Sequence, residues 1–200
     1  MNRIEAANRA LFLHINGGGD TPRWLVNIAI GIADGLIYLI PILLLALWLW
    51  GGRTHRGLAL KACLVTLAAL GANQMIGALC WHPRPFMLGL GHAWLQHAAD
   101  SSFPSDHMTV FAAIALTLLC GGALGLAAAV GAAGLAVAWA RVFLGVHFPL
   151  DMAGAVLVAA GVCALVTPLW RRAENPVLTL AERLYRIFLA WPIAAGWIRR

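Results

Sequence analysis

Long apolar runs separated by short polar segments dominate the pattern along the chain. Apolar residues with few charges among them occupy positions 24–50, 58–81, 108–140 and 152–170. A helix needs roughly 20 apolar residues to cross a bilayer, so three of these runs each predict one crossing. The third run is long enough for two crossings, with a break near Gly121 and Gly122. The pattern therefore predicts an all-α polytopic membrane bundle with about five transmembrane helices.

The ends of the chain are predicted to be amphipathic helices. Residues 1–16 favour a short helix, ended by the glycines at 17–19, whose apolar face is formed by Ile4, Ala7, Leu11 and Ile15. From position 175 onward, apolar and charged residues alternate, as is typical of a helix lying on a membrane surface. A sixth crossing stays open there, although Pro192 and the charges count against it. We expect one membrane domain over 1–200, with a core over about 20–170 and an amphipathic cytoplasmic-side tail over 171–200.

The placement of arginines predicts which face of the membrane each loop occupies. Arginines lie at positions 53 and 56, after the first apolar run, and at positions 171 and 172, after the last. Such residues collect on the cytoplasmic side, and five alternating crossings put both pairs there. The same count brings the polar segments 82–106 and 141–151 together on the opposite, extracytoplasmic face.

Composition supports a membrane protein and argues against several other classes. Apolar residues make up 62% of the chain and charged residues 11%, unlike a water-soluble domain. The net charge is +6, but the basic residues stand in small groups at the ends of apolar runs, so no nucleic-acid partner is indicated. The cysteines lie far apart without a CxxC pair, which suggests neither a zinc site nor a disulfide framework. We expect the first long run to act as an uncleaved anchor.

The two polar segments hold most charged residues that lie outside the termini and the cytoplasmic loop. Arg84 and Arg141 offer planar cationic groups that suit phosphate oxygens. His107 and His147 offer a nucleophile and an acid that titrate near neutrality. Asp151 follows His147 by four residues, so in a helix it would lie beside the imidazole and orient it.

The start of the third apolar run adds a second feature of a phosphate site. Ser105 or Asp106 is a natural N-cap there, and the free amides of the first helical turn favour an anion. Together with the arginines and histidines, these residues predict phosphoryl transfer without a metal or other cofactor. His147 and Asp151 have the spacing of zinc ligands as well, but two nearby arginines would repel a divalent cation.

Three ordered motifs resemble those of the type 2 phosphatidic acid phosphatase superfamily. They are His-Pro-Arg-Pro-Phe at 82–86, Pro-Ser-Asp-His at 104–107 and Ala-Arg-Val-Phe-Leu-Gly-Val-His-Phe-Pro-Leu-Asp at 140–151. The resemblance spans about residues 20–170, and within the superfamily it is strongest to bacterial undecaprenyl-diphosphate phosphatases of the bacitracin-resistance type. It implies hydrolysis of undecaprenyl diphosphate to undecaprenyl phosphate and phosphate, on the outer face of a bacterial cytoplasmic membrane.

The resemblance also implies a role for each motif residue. Arg84 and Arg141 would bind the transferred phosphate, and Ser105 with nearby amides would complete the cradle. His147 would attack phosphorus to form a phosphohistidine, with Asp151 orienting it. His107 would protonate the leaving lipid phosphate and then activate water.

Three positions depart from the superfamily pattern. Gly77 stands where a lysine is usual, so another residue must neutralise the charge of the phosphate, and His82 is a candidate. Ala140 replaces a frequent serine. Asp106 replaces the glycine of the second motif and is expected to lie at the phosphate site, capping the helix or orienting His107.

Other interpretations stay open at the level of sequence. The same chemistry would serve phosphatidic acid, phosphatidylglycerol phosphate or lipid A, or transfer the phosphate to a second lipid. A non-enzymatic transporter of lipids or anions is a further alternative, although its polar residues would lie at mid-membrane. Asp34 either pairs inside the bundle or marks the substrate entrance, and His92 and His97 are expected at the surface or in a lid. The oligomeric state is not predicted.

Overall fold

The first membrane helix contains a local defect near its middle. The computed structural model describes residues 3–199 and, within them, contains helices and no strand. This first span consists of α2 (Arg23–Ile30), a π-helical turn (Gly31–Gly35), a 3₁₀ turn (Leu36–Tyr38) and α3 (Leu39–Leu49). The interruption falls at Asp34 and Gly35. π-Helical turns of this kind are frequent at functional sites.

The next three helices form the centre of the bundle. They are α4 (Arg53–Leu79), α5 (Asp106–Cys120) and α6 (Leu124–Phe143). The predicted break between α5 and α6 lies at Gly121 and Gly122, and Gly122 has a φ of 78°, a conformation that favours glycine. Helix α5 packs against α4, α6 and α7.

Helix α5 is shorter than the other membrane helices. Four helical segments in the described chain are long and apolar enough to cross a membrane, whereas α5 has 15 residues. At 1.5 Å per residue it extends about 22 Å, less than a hydrocarbon core of about 30 Å. One of its ends must therefore be recessed from the membrane surface.

Helix α7 is longer than the sequence predicted. It runs without a break through Pro149–Phe188, about 60 Å, and contains Pro168 and Pro176. The helix does not end near position 170, where the apolar run stops, but continues into the segment predicted to be an amphipathic tail. Leu178 and Tyr185 are buried in this extension, and Glu182 pairs with Arg53 at 2.6 Å. A short helix, α8 (Ala190–Ala194), follows.

Helix α1 (Arg3–Ile15) turns Asn8 and Phe12 toward the protein. These two residues are buried, whereas Ile4 and Leu11 of the predicted apolar face are exposed. A helix at a membrane can turn apolar side chains to lipid and polar ones inward. The side chain of Asn8 accepts a hydrogen bond from the backbone amide of Leu150 at 3.1 Å, so α1 lies against the start of α7.

Candidate active site

Arg84 is held rigidly in the loop between α4 and α5. Its side chain is 4% exposed and donates to Asp100 Oδ1 at 2.7 Å, to the Val146 carbonyl at 2.9 Å and to the Ser101 carbonyl at 3.2 Å. The loop carrying the first motif is thus tied to the turn carrying the third. The two polar segments meet at one end of the bundle, as the count of crossings predicted.

His147 lies between Arg84 and Asp151. Its Nε2 is 3.0 Å from Arg84 Nη1, and its Nδ1 is 3.2 Å from Asp151 Oδ2. A guanidinium can only donate, so Nε2 is the acceptor and the imidazole proton is on Nδ1, facing the carboxylate. Burial lowers the pKa of His147, partly offset by the hydrogen bond and charge of Asp151, so the ring is neutral at pH 7. Nε2 therefore carries the lone pair of the ring, which accepts the hydrogen bond from Arg84.

Asp151 reaches His147 for a different reason than the one expected. Helix α7 begins at Pro149, so His147 precedes it and the two residues do not share a helix face. Instead, Asp151 caps the helix: its Oδ2 accepts from the Phe148 amide at 2.7 Å. The same oxygen accepts a hydrogen bond from the buried hydroxyl of Ser102, a contact that spacing did not indicate.

Arg141 and His107 form a second arginine–histidine pair. Arg141, near the end of α6, is 3% exposed and donates through Nη2 to His107 Nε2. The same Nη2 is 3.4 Å from Asp34 Oδ1. Each arginine thus contacts one histidine and one carboxylate.

Four buried polar side-chain atoms at this end of the bundle have no hydrogen-bond partner among the described residues: Arg141 Nε, Ser105 Oγ, Asn73 Oδ1 and His82 Nδ1. Of these, Arg141 Nε and Ser105 Oγ belong to residues that the resemblance assigns to phosphate binding. Ser105 occupies the N-cap position of α5, but its side chain makes no capping bond. An unpaired buried polar group is costly, and a bound anion would supply acceptors for both.

A cavity of about 400 Å³, here called the main cavity, contains both histidines. It is lined by Asn73, Gln74, Gly77, Ala78, Trp81, Arg84, His97, Asp100, Ser101, Phe103, Pro104, Asp106, His107 and His147. A second one of about 340 Å³, the side cavity, is lined by Asp34, Ile37, Tyr38, Leu95, Gln96, His97, His107 and Arg141. The two cavities share His97 and His107, so His107 is reached from both sides.

Asp106 and His82 differ from the expectations placed on them. Asp106 lines the main cavity but does not cap α5; its oxygens accept from Asn73 at 2.8 Å and Gln74 at 3.1 Å. These two amides partly compensate the negative charge of Asp106 beside the proposed phosphate site. His82 lies outside the main cavity, 3.8 Å from Glu5 of α1, so it does not replace the charge of the missing lysine.

Sequence reasoning left several contact residues without a role. Asp34 was expected either to pair inside the bundle or to mark the substrate entrance, and the structure brings it to Arg141 on the wall of the side cavity. Ser102, Asn73, Gln74 and Asp100 were given no role. Their residue types gave no signal, because each matters through the partner that the fold brings to it.

The comparisons with known proteins agree with this arrangement. The sequence profile described as the PAP2 superfamily matches residues 58–175. The putative undecaprenyl-diphosphatase YbjG of Escherichia coli is 38% identical over 98% of this chain and 99% of that protein. The undecaprenyl-diphosphatase BcrC of Bacillus subtilis is 33% identical over 76% of this chain and 78% of its own.

A solved structure has the same fold. It is the crystal structure of a transmembrane PAP2 type phosphatidylglycerolphosphate phosphatase from Bacillus subtilis. It covers 88% of this chain and 90% of its own, with a TM-score of 0.64 and 23% sequence identity. The predicted all-α polytopic architecture and the resemblance based on three motifs are both confirmed. The chain belongs to the PAP2 superfamily.

Proposed function

We propose that this chain is a membrane lipid phosphatase that hydrolyses undecaprenyl diphosphate to undecaprenyl phosphate and inorganic phosphate. Its superfamily and the two relatives named as undecaprenyl-diphosphatases support this substrate. The observation that carries the chemistry is the orientation of His147. Its Nδ1 is bonded to Asp151, while its Nε2 faces Arg84 in the cavity it shares with His107.

The first half-reaction forms a phosphohistidine. His147 Nε2 attacks the terminal phosphorus, and the bond from phosphorus to the bridging oxygen breaks. Undecaprenyl phosphate leaves with a proton from His107. Arg84 and Arg141 stabilise the charge on the transferred phosphoryl oxygens, and Asp151 stabilises the imidazolium that forms.

The second half-reaction releases phosphate. His107, now deprotonated, takes a proton from water, and the oxygen of this water attacks the phosphohistidine. The P–N bond breaks and regenerates His147. Each arginine donates to the Nε2 of a histidine, so substrate binding must exchange these contacts for arginine–phosphate ones.

Access from the lipid fits the walls of the main cavity. Gln74, Ala78 and Trp81 line it and are exposed on one side of the α4 end. A polyprenyl chain can remain in the bilayer while its diphosphate enters the main cavity here. Gly77 also lines this wall and, because it has no side chain, does not obstruct the entrance. The absence of the usual lysine leaves the two arginines as the principal phosphate ligands.

An extracytoplasmic site is part of the proposal. Helix α4 begins at Arg53 and ends near the site, so the basic loop lies at the far end of the bundle. Cytoplasmic placement of that loop by the positive-inside rule puts the main cavity on the outer face. Sealed right-side-out vesicles should therefore hydrolyse added farnesyl diphosphate, a water-soluble analogue, whereas sealed inverted vesicles should not.

The purified protein, assayed in detergent with EDTA, tests the substrate. We expect phosphate release from undecaprenyl diphosphate with a kcat/KM at least about tenfold above that for phosphatidic acid, phosphatidylglycerol phosphate or lipid A. His147→Ala should lower kcat by about 10³-fold or more, because it removes the nucleophile. His14→Ala, which alters an exposed histidine of α1, should leave turnover unchanged. A preference for another lipid would contradict the proposed substrate, and turnover by His147→Ala would contradict the proposed mechanism.

A further inference from the structure

Asp34 lies outside the three motifs yet contacts the site. It stands on the π-helical turn Gly31–Gly35 of the first membrane helix, and its side chain is 49% exposed. Its Oδ1 is 3.4 Å from Arg141 Nη2, longer than the 2.7–2.9 Å usual for a charge-assisted hydrogen bond. Asp34 therefore offsets the charge of Arg141 without fixing its guanidinium.

The two arginines of the site differ in how fully they are paired. Arg84 is held by Asp100 at 2.7 Å and by two backbone carbonyls. Arg141 keeps a buried Nε without a partner, and its Nη2 is shared between His107 and Asp34. Arg141 is thus the less fully paired of the two arginines, and Asp34 is the acid that competes with phosphate for it.

We propose that Asp34 is a positioning residue for product release, acting as the counter-ion to which Arg141 returns when inorganic phosphate leaves. The inference rests on the proposed function. Two buried guanidinium groups would bind a phosphate dianion tightly, since screening at such a site is weak. A carboxylate beside one of them weakens binding of any phosphate group. The lipid substrate offsets this loss through its polyprenyl chain, whereas inorganic phosphate has no such chain.

The side cavity supports this role. It places Asp34, Arg141 and His107 around one opening, whereas Gln74 and Trp81 line the main cavity and not this one. Phosphate held by Arg141 would border this opening. Asp34 is therefore positioned to contact Arg141 as phosphate departs.

The test compares the inhibition constant of inorganic phosphate among variants, with undecaprenyl diphosphate as substrate. Asp34→Asn should lower this constant by about five- to tenfold, with a smaller fall in KM, because a competitor for Arg141 is removed. Asp34→Glu should restore the wild-type value. Asp20→Asn, an exposed acid outside both cavities, should change nothing.

A readout without turnover separates this inference from the proposed function. The phosphate concentration that gives half of the maximal rise in Tm should fall by a similar factor in Asp34→Asn, and Asp34→Ser serves if that variant does not fold. An unchanged or weaker phosphate affinity would overturn the inference and make Asp34 a structural support of Arg141. Absence of lipid phosphatase activity in the wild type would instead overturn the proposed function, while the Tm measurement would still decide the role of Asp34.

Discussion

At the scale of single residues, one carboxylate oxygen organises the proposed nucleophile. Oδ2 of Asp151 accepts hydrogen bonds from the Phe148 amide, the Ser102 hydroxyl and His147 Nδ1. Asp151 is 1% exposed, so these contacts form away from bulk water, where they orient the ring strongly. The carboxylate that caps α7 thereby also fixes the tautomer in which His147 can attack.

The pH dependence of catalysis should reveal this environment. His147 must be neutral to attack, and burial lowers its pKa from the usual 6.5, so the acidic limb of kcat/KM should lie below pH 6.5. Asp151 raises that pKa, so Asp151→Asn should move the limb to still lower pH and reduce kcat by about 10³-fold or more. The ionisation of the substrate itself, followed by phosphorus NMR, is the control. A limb that moves to higher pH in Asp151→Asn would contradict this account.

The motif residues were easier to recognise in the sequence than the contacts that they make. Arg84, Arg141 and the two histidines were recognisable because residue type and order carry the signal. The packing of the helices decides where His82 points, which amides bind Asp106 and that Asp34 contacts Arg141. No local pattern encodes these contacts.

At the scale of secondary-structure elements, close packing between α5 and α6 helps to position the site. A Cβ atom at Gly134 of α6 would lie 2.8 Å from Phe111 Cβ of α5, closer than normal contact. The first residues of α5 include His107, and the end of α6 carries Arg141. The spacing of these two helices therefore affects the distance between two site residues.

Gly134→Ala should destabilise the protein by about 1–3 kcal/mol, because the added methyl group pushes α5 and α6 apart. We expect a lower Tm together with a reduced kcat/KM. Gly131→Ala is the matched control, since a Cβ there meets nothing within 4 Å on the same helix. It should be neutral or slightly stabilising, because alanine favours helix more than glycine does. Equal effects of the two substitutions would contradict the packing argument.

The ends of helices were predictable where the length of an apolar run or the presence of glycine determines them. The break at Gly121 and Gly122 was predicted for this reason. The continuation of α7 beyond position 170 does not, because tertiary contacts stabilise it, including Glu182 with Arg53. The apolar pattern of α1 did not indicate which face would contact the protein, because apolar side chains of a membrane protein can also face lipid.

At the scale of the whole molecule, the fold brings distant segments to one end of the bundle. Asp34, Arg84, His107 and His147 come from four parts of the chain and surround the two adjoining cavities. Counting crossings predicted that the two polar segments would meet, since two helices separate them. It could not predict that the first helix would join them, because its approach depends on the packing of its π-helical turn against α6. The proposed domain and its cytoplasmic-side tail over 171–200 stay predictions.

Trapping the covalent intermediate tests the central claim most directly. The protein is mixed with undecaprenyl diphosphate that carries a radiolabel in its terminal phosphate, quenched rapidly in alkali and digested for mass spectrometry. We predict an acid-labile, alkali-stable label on the peptide containing His147, and no such label in His147→Ala. Turnover without a labelled protein, or with the label on another residue, would contradict the account.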